Sequence, residues 1–209
     1  MSTIARRGVC LVLSAPSGAG KTAISDALLA TEPLLDRSIS VTTRARRPNE
    51  IDGVHYHFLT ETQFQDALHN DAFLEWARVL QGTHAYGSPR APIEAALAAG
   101  RDVVFDIDWQ GHLQLRSKLP VDVVGVFILP PDLATLDARM RSRAGDPPEE
   151  IARRMRVARN EIGHWTEFDH VVVNDDLAVA TEAVRAVLHA ARSARTRMVG
   201  LPAYIDGLK

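Results

Sequence analysis

Cysteine is almost absent from this sequence of 209 residues, in which Cys10 is the only one. A single cysteine cannot form an intrachain disulfide, and this predicts a protein of a reducing compartment, the cytoplasm. Lysine is nearly as scarce, since only Lys21, Lys118 and Lys209 stand among the 24 basic residues. Codon bias toward arginine accounts for this scarcity. The scarcity of lysine also means that a lysine at a chemically meaningful position is harder to ascribe to chance.

Long apolar runs are also missing from the chain. The run near the N-terminus, Val9–Leu13, has five residues, whereas a membrane-spanning helix needs about 20 and a signal peptide core about 7–15. We therefore expect no targeting segment and no membrane association, and we interpret Val9–Leu13 as a buried strand. Neither sign of charge dominates, because 26 acidic residues face 24 basic ones, so the whole molecule has no general attraction to nucleic acid.

Apolar runs alternate with helical patterns along much of the chain. Hydrophobic residues make up 46% and charged residues 24% of the sequence, which is ordinary for a globular protein. The predicted strands are Val9–Leu13, 103–107, 123–129 and 171–173, and the predicted helices are 22–30, 132–143, 147–159 and 177–195. Buried strands that alternate with helices indicate an α/β fold with a parallel sheet flanked by helices.

Two segments depart from this alternation. Residues 35–100 alternate polar and apolar side chains between many turns, and we interpret them as an inserted, mixed or antiparallel lobe. Residues 139–159 hold seven arginines against three acids, which predicts a helical, anion-binding lid. The remaining segments form the core, 1–34, 101–138 and 160–195, and a C-terminal tail, 196–209, whose end we expect to be frayed.

The segment S-A-P-S-G-A-G-K-T, Ser14–Thr22, follows the first predicted strand and opens a predicted helix. This is the context that a phosphate-binding P-loop requires. Gly18 and Gly20 let the backbone turn so that its N–H groups converge on phosphate oxygens. Lys21 can reach the β- and γ-phosphates, and the Thr22 hydroxyl can ligate Mg²⁺. The loop predicts a nucleoside triphosphate as one ligand.

A second cluster of anion-binding residues lies in the inserted lobe. Arg44, Arg46 and Arg47 stand in the run T-T-R-A-R-R-P, which alone would favour a solvated surface or a nucleic-acid patch. Two tyrosines downstream, Tyr56 and Tyr86, change this interpretation, because arginines and tyrosines together can clamp a second phosphate.

A carboxylate in the same lobe needs another partner than phosphate. Glu75 stands in F-L-E-W, directly after two apolar residues, and Ser88 follows in Y-G-S. A phosphate would repel the Glu75 carboxylate, whereas the N1–H and exocyclic amine of guanine form a double donor that one carboxylate can accept. Adenine offers no such pair of donors. The lobe therefore predicts a guanine reader.

Two further carboxylates end the second predicted strand of the core. Asp106 and Asp108 stand in F-D-I-D-W-Q-G, and alternation along a strand would place both on one side. The carboxyl ends of parallel strands are where α/β sheets bind ligands. We expect Asp106 to hold Mg²⁺ or its waters, while the alternative is a pair of capping carboxylates.

Taken together, these residues resemble the guanylate kinase family of ATP:GMP phosphotransferases, especially its bacterial form, over nearly all of residues 8–195. The matching segments occur in the family's order and are S-A-P-S-G-A-G-K, T-T-R-x-x-R, F-L-E-W, Y-G-S, F-D-I-D-W-Q-G, F-I-L-P-P and V-V-N-D-D. The resemblance implies a P-loop nucleoside monophosphate kinase fold that binds ATP, GMP and Mg²⁺.

The resemblance also implies roles for individual residues. The residues implied for ATP are Ala15, Pro16, Ser17, Gly18, Ala19, Gly20, Lys21, Thr22, Arg139 and Asn174. Those implied for GMP are Ser40, Glu75, Ser88 and Asp108 at the base, and Arg44, Arg47, Tyr56 and Tyr86 at the phosphate. The residues implied to act on the transferring phosphate are Lys21, Arg44, Arg143 and Arg154, and those implied for Mg²⁺ are Thr22 and Asp106.

The chain departs from the family's pattern in four places. Ala15 stands where the general P-loop has its first glycine, as it does in many bacterial members. The family's T-T-R-x-P-R-x-G-E has Arg46 in place of proline and Asn49 in place of glycine. The segment between Glu75 and Tyr86 is about two residues longer than usual. In the lid, S-R-A-G replaces G-R-G but keeps the arginine.

Three alternative functions fit parts of the pattern. A related P-loop kinase for ribosyl bisphosphates would need neither F-L-E-W nor T-T-R-x-x-R. A non-catalytic guanylate-kinase-like binding domain would not need Lys21 and Thr22, and it usually stands among other modules. A nucleic-acid binder would use the arginines and lose affinity steeply with salt.

Overall fold

A computed structural model describes residues 4–79, 83–142 and 147–209 of the chain. Two sheets organise the described residues. One has five parallel strands in the order β2-β7-β1-β8-β9, and the other has four in the order β4-β3-β6-β5. The strands are β1 Cys10–Ser14, β2 Leu35–Arg37, β3 Val41–Thr42, β4 His57–Phe58, β5 Phe73–Val79, β6 His84–Pro89, β7 Asp102–Asp106, β8 Val123–Leu129 and β9 His170–Val173.

Helices of the described residues cover both faces of the five-stranded sheet and the buried cluster of the four-stranded sheet, and one short helix lies in the C-terminal tail. They are α1 Lys21–Thr31, α2 Glu61–His69, α3 Arg90–Ala98, α4 Trp109–Lys118, α5 Leu133–Ser142, α6 Pro148–Ile162, α7 Leu177–Arg192 and α8 Leu201–Asp206. Strand β1 lies at the centre, with Leu11 and Leu13 packed on α1 and α7 and with Cys10 and Val12 packed on the opposite face. Both faces of β1 are buried, so its sequence is apolar throughout, as the interpretation of 9–13 as a buried strand predicted.

The four-stranded sheet has its own small core. Val41, Phe64, Phe73 and Ala85 form a buried cluster, and the ring centroids of Phe64 and Phe73 lie 4.8 Å apart. Helix α2 covers this cluster and begins with a capping box, in which Thr60 and Gln63 each bond the other's backbone N–H. Strands β5 and β6 pair antiparallel, and β3 pairs with β6 antiparallel and with β4 parallel. The predicted mixed sheet is therefore present.

The boundary of this second sheet differs from the predicted 35–100. Strand β2 pairs in parallel with β7 and so belongs to the five-stranded sheet. Helix α3 also buries Ile93 and Leu97 in the core cluster of that sheet. Strand β2 contributes only Leu35 to the buried interior, and a three-residue strand with one buried side chain shows no sequence periodicity.

The C-terminal tail is bound to the start of the chain. Arg197 is 4% exposed, and its guanidinium donates to the carbonyls of Gly8 (2.9 Å) and Asp122 (3.0 Å). Its own carbonyl accepts from the N–H of Arg7, and the N–H of Gly200 donates to the carbonyl of Ala5. We expected the last ten residues to be frayed. This expectation was wrong for Leu201–Asp206, because these residues form helix α8. None of the helices among the described residues is long and apolar enough to cross a membrane.

Candidate functional site

The loop between β1 and α1 has the backbone of a phosphate cradle. Gly18 and Gly20 have φ of 93° and 96°, which only glycine adopts without strain, so both predicted glycine roles have a conformational basis. Gly20 caps the N-terminus of α1 without a side-chain bond, and the free N–H groups of the first helical turn face the loop. This leaves positive helix-dipole potential for an anion.

Lys21, Thr22 and Asp106 meet at the carboxyl end of β7. The Nζ of Lys21 lies 2.5 Å from Oδ1 of Asp106, and the Thr22 hydroxyl donates to Oδ2 at 3.2 Å. A hydroxyl and a carboxylate side by side are hard oxygen donors of the kind that Mg²⁺ prefers. The described part of the chain has no cluster of three or more His, Cys, Asp or Glu that could hold a metal. These donors therefore fit an ion that takes its other ligands from phosphates and water.

Asn174 closes the other side of the loop. It is 4% exposed, and its Nδ2 donates to the carbonyl of Ala19 at 2.7 Å. A Cβ at Gly20 would lie 2.2 Å from that nitrogen, which is a second reason for glycine at this position. Arg139 on α5 donates to the carbonyls of Asn174 (3.1 Å) and Asp175 (3.4 Å). The structure thus brings two of the predicted ATP residues together beside the loop.

The predicted lid helices lie over the tip of the loop. Leu136 and Met140 of α5 lie within 3.1 and 3.3 Å of the position that a Cβ on Gly18 would occupy. From α6, Arg154 donates to the Ser17 hydroxyl at 2.6 Å. Arg143, predicted to act on the transferring phosphate, lies outside the described residues.

In the four-stranded sheet, Glu75 is buried beside Ser88. The Ser88 hydroxyl donates to Oε1 of Glu75 at 2.6 Å, and Glu75 is 6% exposed. Strand β5 has a register irregularity between Phe73 and Glu75. Its first three side chains are all buried, Phe73 in the cluster of the four-stranded sheet and Leu74 in the core cluster of the five-stranded sheet. Burial raises the pKa of Glu75 above its usual value, the bond from Ser88 opposes this, and the charge of Asp108 adds to the increase.

The predicted alternation with Asp106 required Asp108 to lie in strand β7, but Asp108 lies beyond the end of that strand. The strand ends at Asp106, and Asp108 is the N-cap of α4, accepting from the N–H of Gly111 at 2.8 Å. The capping alternative is therefore correct for Asp108. A Cβ on Gly111 would lie 3.1 Å from Oε2 of Glu75, so the first turn of α4 packs closely against the buried carboxylate.

Arg44 is the centre of an aromatic and acidic cluster. Its guanidinium lies 5.5 Å from the ring centroid of Tyr56, and the ring centroid of Tyr86 is 5.9 Å from that of Tyr56. Glu50 accepts from Arg44 at 2.7 Å and from the backbone N–H of Arg47 at 2.9 Å. The bond from Arg44 lowers the pKa of Glu50 to about 2. The Arg47 side chain itself is exposed.

A cavity of about 640 Å³ lies between the two sheets. Ser40 and Tyr56 line it from the four-stranded sheet side, and Asp106 and Ile107 line it from the end of β7. Its volume is in the range of ligand pockets, which hold about 300–1,000 Å³. A ligand there would lie beside the carboxylate that contacts Lys21 and Thr22.

Sequence reasoning missed two contacts that shape this site. Glu50 was assigned no role from the sequence, although it stands only six positions after Arg44, with which it pairs. Gln114 on α4 bonds both backbone groups of Trp76, at 3.1 and 3.0 Å, and so fastens edge strand β5 to the core. No sequence signal identifies such a contact, because it joins residues 38 positions apart.

Comparison with known proteins agrees with this geometry. The family model described as guanylate kinase matches residues 7–191. The chain is 56% identical to a guanylate kinase of Gluconobacter oxydans (strain 621H), over 96% of each chain. It is 52% identical to a guanylate kinase of Chelativorans sp. (strain BNC1), over 99% of this chain and 94% of that relative.

A solved structure extends the comparison to three dimensions. The guanylate kinase from Anaplasma phagocytophilum matches 99% of this chain and 97% of its own with a TM-score of 0.77 and 30% sequence identity. The parallel sheet flanked by helices and the additional mixed sheet are the predicted fold. The chain therefore belongs to the guanylate kinase family, whose members are nucleoside monophosphate kinases.

Proposed function

We propose that the chain transfers the γ-phosphoryl group of ATP to GMP, giving ADP and GDP, with Mg²⁺ as the metal ion. The observation that carries this proposal is the cavity of about 640 Å³ that Ser40 and Tyr56 line on one side and Asp106 lines on the other. Asp106 contacts Lys21 and Thr22 of the phosphate loop, so a ligand in the cavity would lie beside that loop.

At the ATP end, the residues 15–22 bind the phosphates. Their glycines shape the loop, and Lys21, now 2.5 Å from Asp106, neutralises charge on the β- and γ-phosphates. Arg139 and Asn174 lie beside the loop on the adenine side, and Arg154 reaches the loop tip from α6. We assign Arg143 to the transferring phosphate from the sequence alone.

Magnesium belongs beside Thr22 and Asp106, whose oxygens lie 3.2 Å apart. When bound with ATP, it supplies positive charge that offsets the repulsion between two polyanions. Lys21 and the lid arginines have the same electrostatic task, and each such contact typically contributes about 10²–10³ to the rate.

At the GMP end, Glu75 accepts the two donors of guanine, with Ser88 holding one of its oxygens and Asp108 and Ser40 nearby. Arg44, Arg47, Tyr56 and Tyr86 hold the phosphate. The attacking atom is an oxygen of that phosphate, which is mostly dianionic at neutral pH because its second pKa is about 6. No general base is required, so none of the eight histidines has a catalytic role in this proposal.

Water is a competing nucleophile that the enzyme must exclude. We propose that the lobe within 35–100 and the lid at 139–159 close over the core when both nucleotides bind. Small-angle scattering tests this, since it should show compaction with both nucleotides together, and an unchanged radius of gyration would contradict closure.

The reaction is tested by measuring ADP release from Mg·ATP with GMP, AMP, CMP and UMP offered separately. We expect rapid turnover with GMP alone. ATP binding without turnover on any monophosphate would contradict the proposal and favour a non-catalytic binding domain. Omitting Mg²⁺ while keeping ATP and GMP should abolish turnover, and full activity in the presence of a chelator would remove the metal from the proposal.

A further inference from the structure

The segment that follows helix α6 is stacked onto helix α4. The imidazole of His164, two residues after the end of α6, lies parallel to the indole of Trp109. Their ring centroids are 3.6 Å apart, and the two ring planes differ by 7°. Trp109 is the first residue of α4 and packs against the core cluster of the five-stranded sheet. The C-terminal end of α6 is therefore held by an element of the core.

A second stack lies about one helical turn farther along α4. His112 is fully buried, and its ring centroid lies 4.2 Å from that of Phe168. Its Nε2 donates to the carbonyl of Glu167 at 3.0 Å, because a carbonyl can only accept. Trp109 and His112 are three residues apart in the helix and so lie on one face of it. This face of α4 holds residues 164–168 at both ends.

The apolar face of α6 packs on α5 rather than on the sheet. Its buried residues Ile151 and Ala158 share a cluster with Leu136 and Met140 of α5, and this cluster is separate from both clusters of the five-stranded sheet. The direction of α6 relative to the core therefore depends on α5 and on the stack that follows its C-terminal end.

We propose that His164 is a positioning residue for phosphoryl transfer: by stacking on Trp109 it sets the direction of α6 and so places Arg154 at the phosphate loop. The inference rests on the proposed function, in which Arg154 acts on the transferring phosphate.

The distance between the stack and Arg154 makes this placement sensitive. Arg154 lies eight residues before Ile162, the last residue of α6, which is about 12 Å along the helix axis. A tilt of about 10° at that end would move Arg154 by about 2 Å. Its bond to the hydroxyl of Ser17 is 2.6 Å long, so such a shift would break it. A displacement of about 1 Å near the reacting atoms can cost about 10²-fold in rate.

The test compares three substitutions of His164 by steady-state kinetics with Mg·ATP and GMP. His164→Ala removes the ring, and we expect kcat to fall at least about tenfold. His164→Phe keeps a flat ring that can stack on Trp109, so kcat should stay within about twofold of the wild type. His164→Leu keeps a bulky side chain without a flat ring. It should resemble His164→Ala and provides a second measurement if that variant fails to fold.

A double substitution tests the route through Arg154. Arg154→Ala alone should lower kcat strongly, because it removes a lid arginine. If His164 acts by placing that arginine, adding His164→Ala to Arg154→Ala should change kcat by less than about twofold. KM for GMP should stay within about twofold of the wild type in the His164 variants, whereas general loss of structure would raise it. His170→Ala, at an exposed position in β9, is the matched control and should leave kcat unchanged.

Four results would overturn the inference. Unchanged kcat in His164→Ala would show that the stack does not position the lid helix. An equal loss in His164→Phe would assign the effect to the imidazole nitrogens instead of the stack. Losses that multiply in the double variant would show that His164 acts independently of Arg154, and normal turnover in Arg154→Ala would remove the residue through which it acts. Failure of the wild type to phosphorylate GMP would overturn the proposed function itself, and this outcome is distinct from the other four.

Discussion

The two nucleotide-binding regions of the molecule rest on very different supports. The phosphate loop extends from β1, whose five residues are all buried at the centre of a five-stranded parallel sheet. The lobe in which we propose that guanine binds has a small cluster of Val41, Phe64, Phe73 and Ala85, and its strands β3 and β4 have two residues each. Local stability follows buried apolar contact, so the lobe should open far more readily than the loop.

The lobe is attached to the core by the fully buried Leu74 of β5, which packs in the core cluster of the five-stranded sheet, and by polar contacts at α4. Gln114 bonds the backbone of Trp76, and Lys118 donates to Asp71 at 2.8 Å and to the carbonyl of Phe73 at 2.6 Å. These contacts involve exposed or partly buried groups, which rearrange at low cost. The proposed ATP region thus rests on a larger buried core than the proposed GMP region, and this contrast can be tested at four positions.

The largest effect on activity is expected at Glu75, the residue that we propose to recognise guanine. Glu75→Gln replaces one acceptor oxygen by an amide that clashes with a guanine donor, so the preference for GMP over AMP should fall steeply. Sites built on such hydrogen bonds discriminate by up to about 10⁴–10⁵. The ratio of kcat/KM for the two monophosphates measures the change, with the exposed Glu182→Gln as control. Intact selectivity would move guanine recognition to other residues.

The second largest effect is expected in the buried cluster of the four-stranded sheet. Phe64→Ala removes a fully buried ring that stacks on Phe73, a change that typically costs about 3–5 kcal/mol. Because the lobe has its own cluster, we expect GMP affinity to fall while Mg·ATP still binds. Leu11→Ala in β1 is the matched change in the core and should weaken both substrates by lowering global stability. Equal losses of ATP and GMP affinity in Phe64→Ala would contradict the contrast between the regions.

At the loop, Lys21→Ala should lower kcat about 10²–10³-fold, or roughly 3–4 kcal/mol, without unfolding the protein. Lys21 is only partly buried and contacts Asp106 at its tip, so its loss leaves the core intact. Thermal unfolding checks the fold and single-turnover kinetics check the chemical step. Lys209→Ala, in the exposed tail, should match the wild type, and near-normal turnover in Lys21→Ala would remove it from catalysis.

The smallest expected effect concerns acid stability of the core. His112 is fully buried, and burial lowers the pKa of its imidazole below 6.5. Below pH 6.5 the unfolded chain takes up a proton that the folded chain does not, so this contribution to stability is present above 6.5 and declines as the pH falls, by at most about 1.4 kcal/mol per unit.

Urea unfolding between pH 7.5 and 5.5 measures this decline. His112→Gln, which cannot titrate, should flatten the pH dependence even if it lowers stability throughout. His69→Gln, at an exposed position in α2, should leave the slope unchanged. The same slope in His112→Gln and the wild type would assign the acid sensitivity to other groups.

The parts of the site that sequence reasoning could predict are those encoded in contiguous residues. The phosphate loop needs two glycines at positive φ directly before a lysine, and all of them lie within four positions, 18–21. The long buried strands were likewise predictable, because β8 at Val123–Leu129 is an unbroken apolar run.

Other features depend on tertiary packing that leaves no local pattern. Strand β2 was missed because it has three residues, of which only Leu35 is buried, so its sequence shows no periodicity. Alternation could not place Asp108, because the strand ends two residues earlier, at Asp106, and Asp108 caps α4. The contact between Arg154 and Ser17 spans 137 positions, so only the docking of α6 on the loop brings it about.

The buried Arg197 has a consequence for which parts of the chain the central sheet needs. The carbonyl of Gly8, just before β1, accepts from a guanidinium encoded 189 positions later. The carbonyl of Asp122 accepts from the same guanidinium and from the N–H of Cys10. Removing Arg197 would take this donor from the buried Gly8 carbonyl, and such unpaired groups are costly. A chain cut before Arg197 should therefore form a less stable central sheet, although every strand of that sheet would still be present.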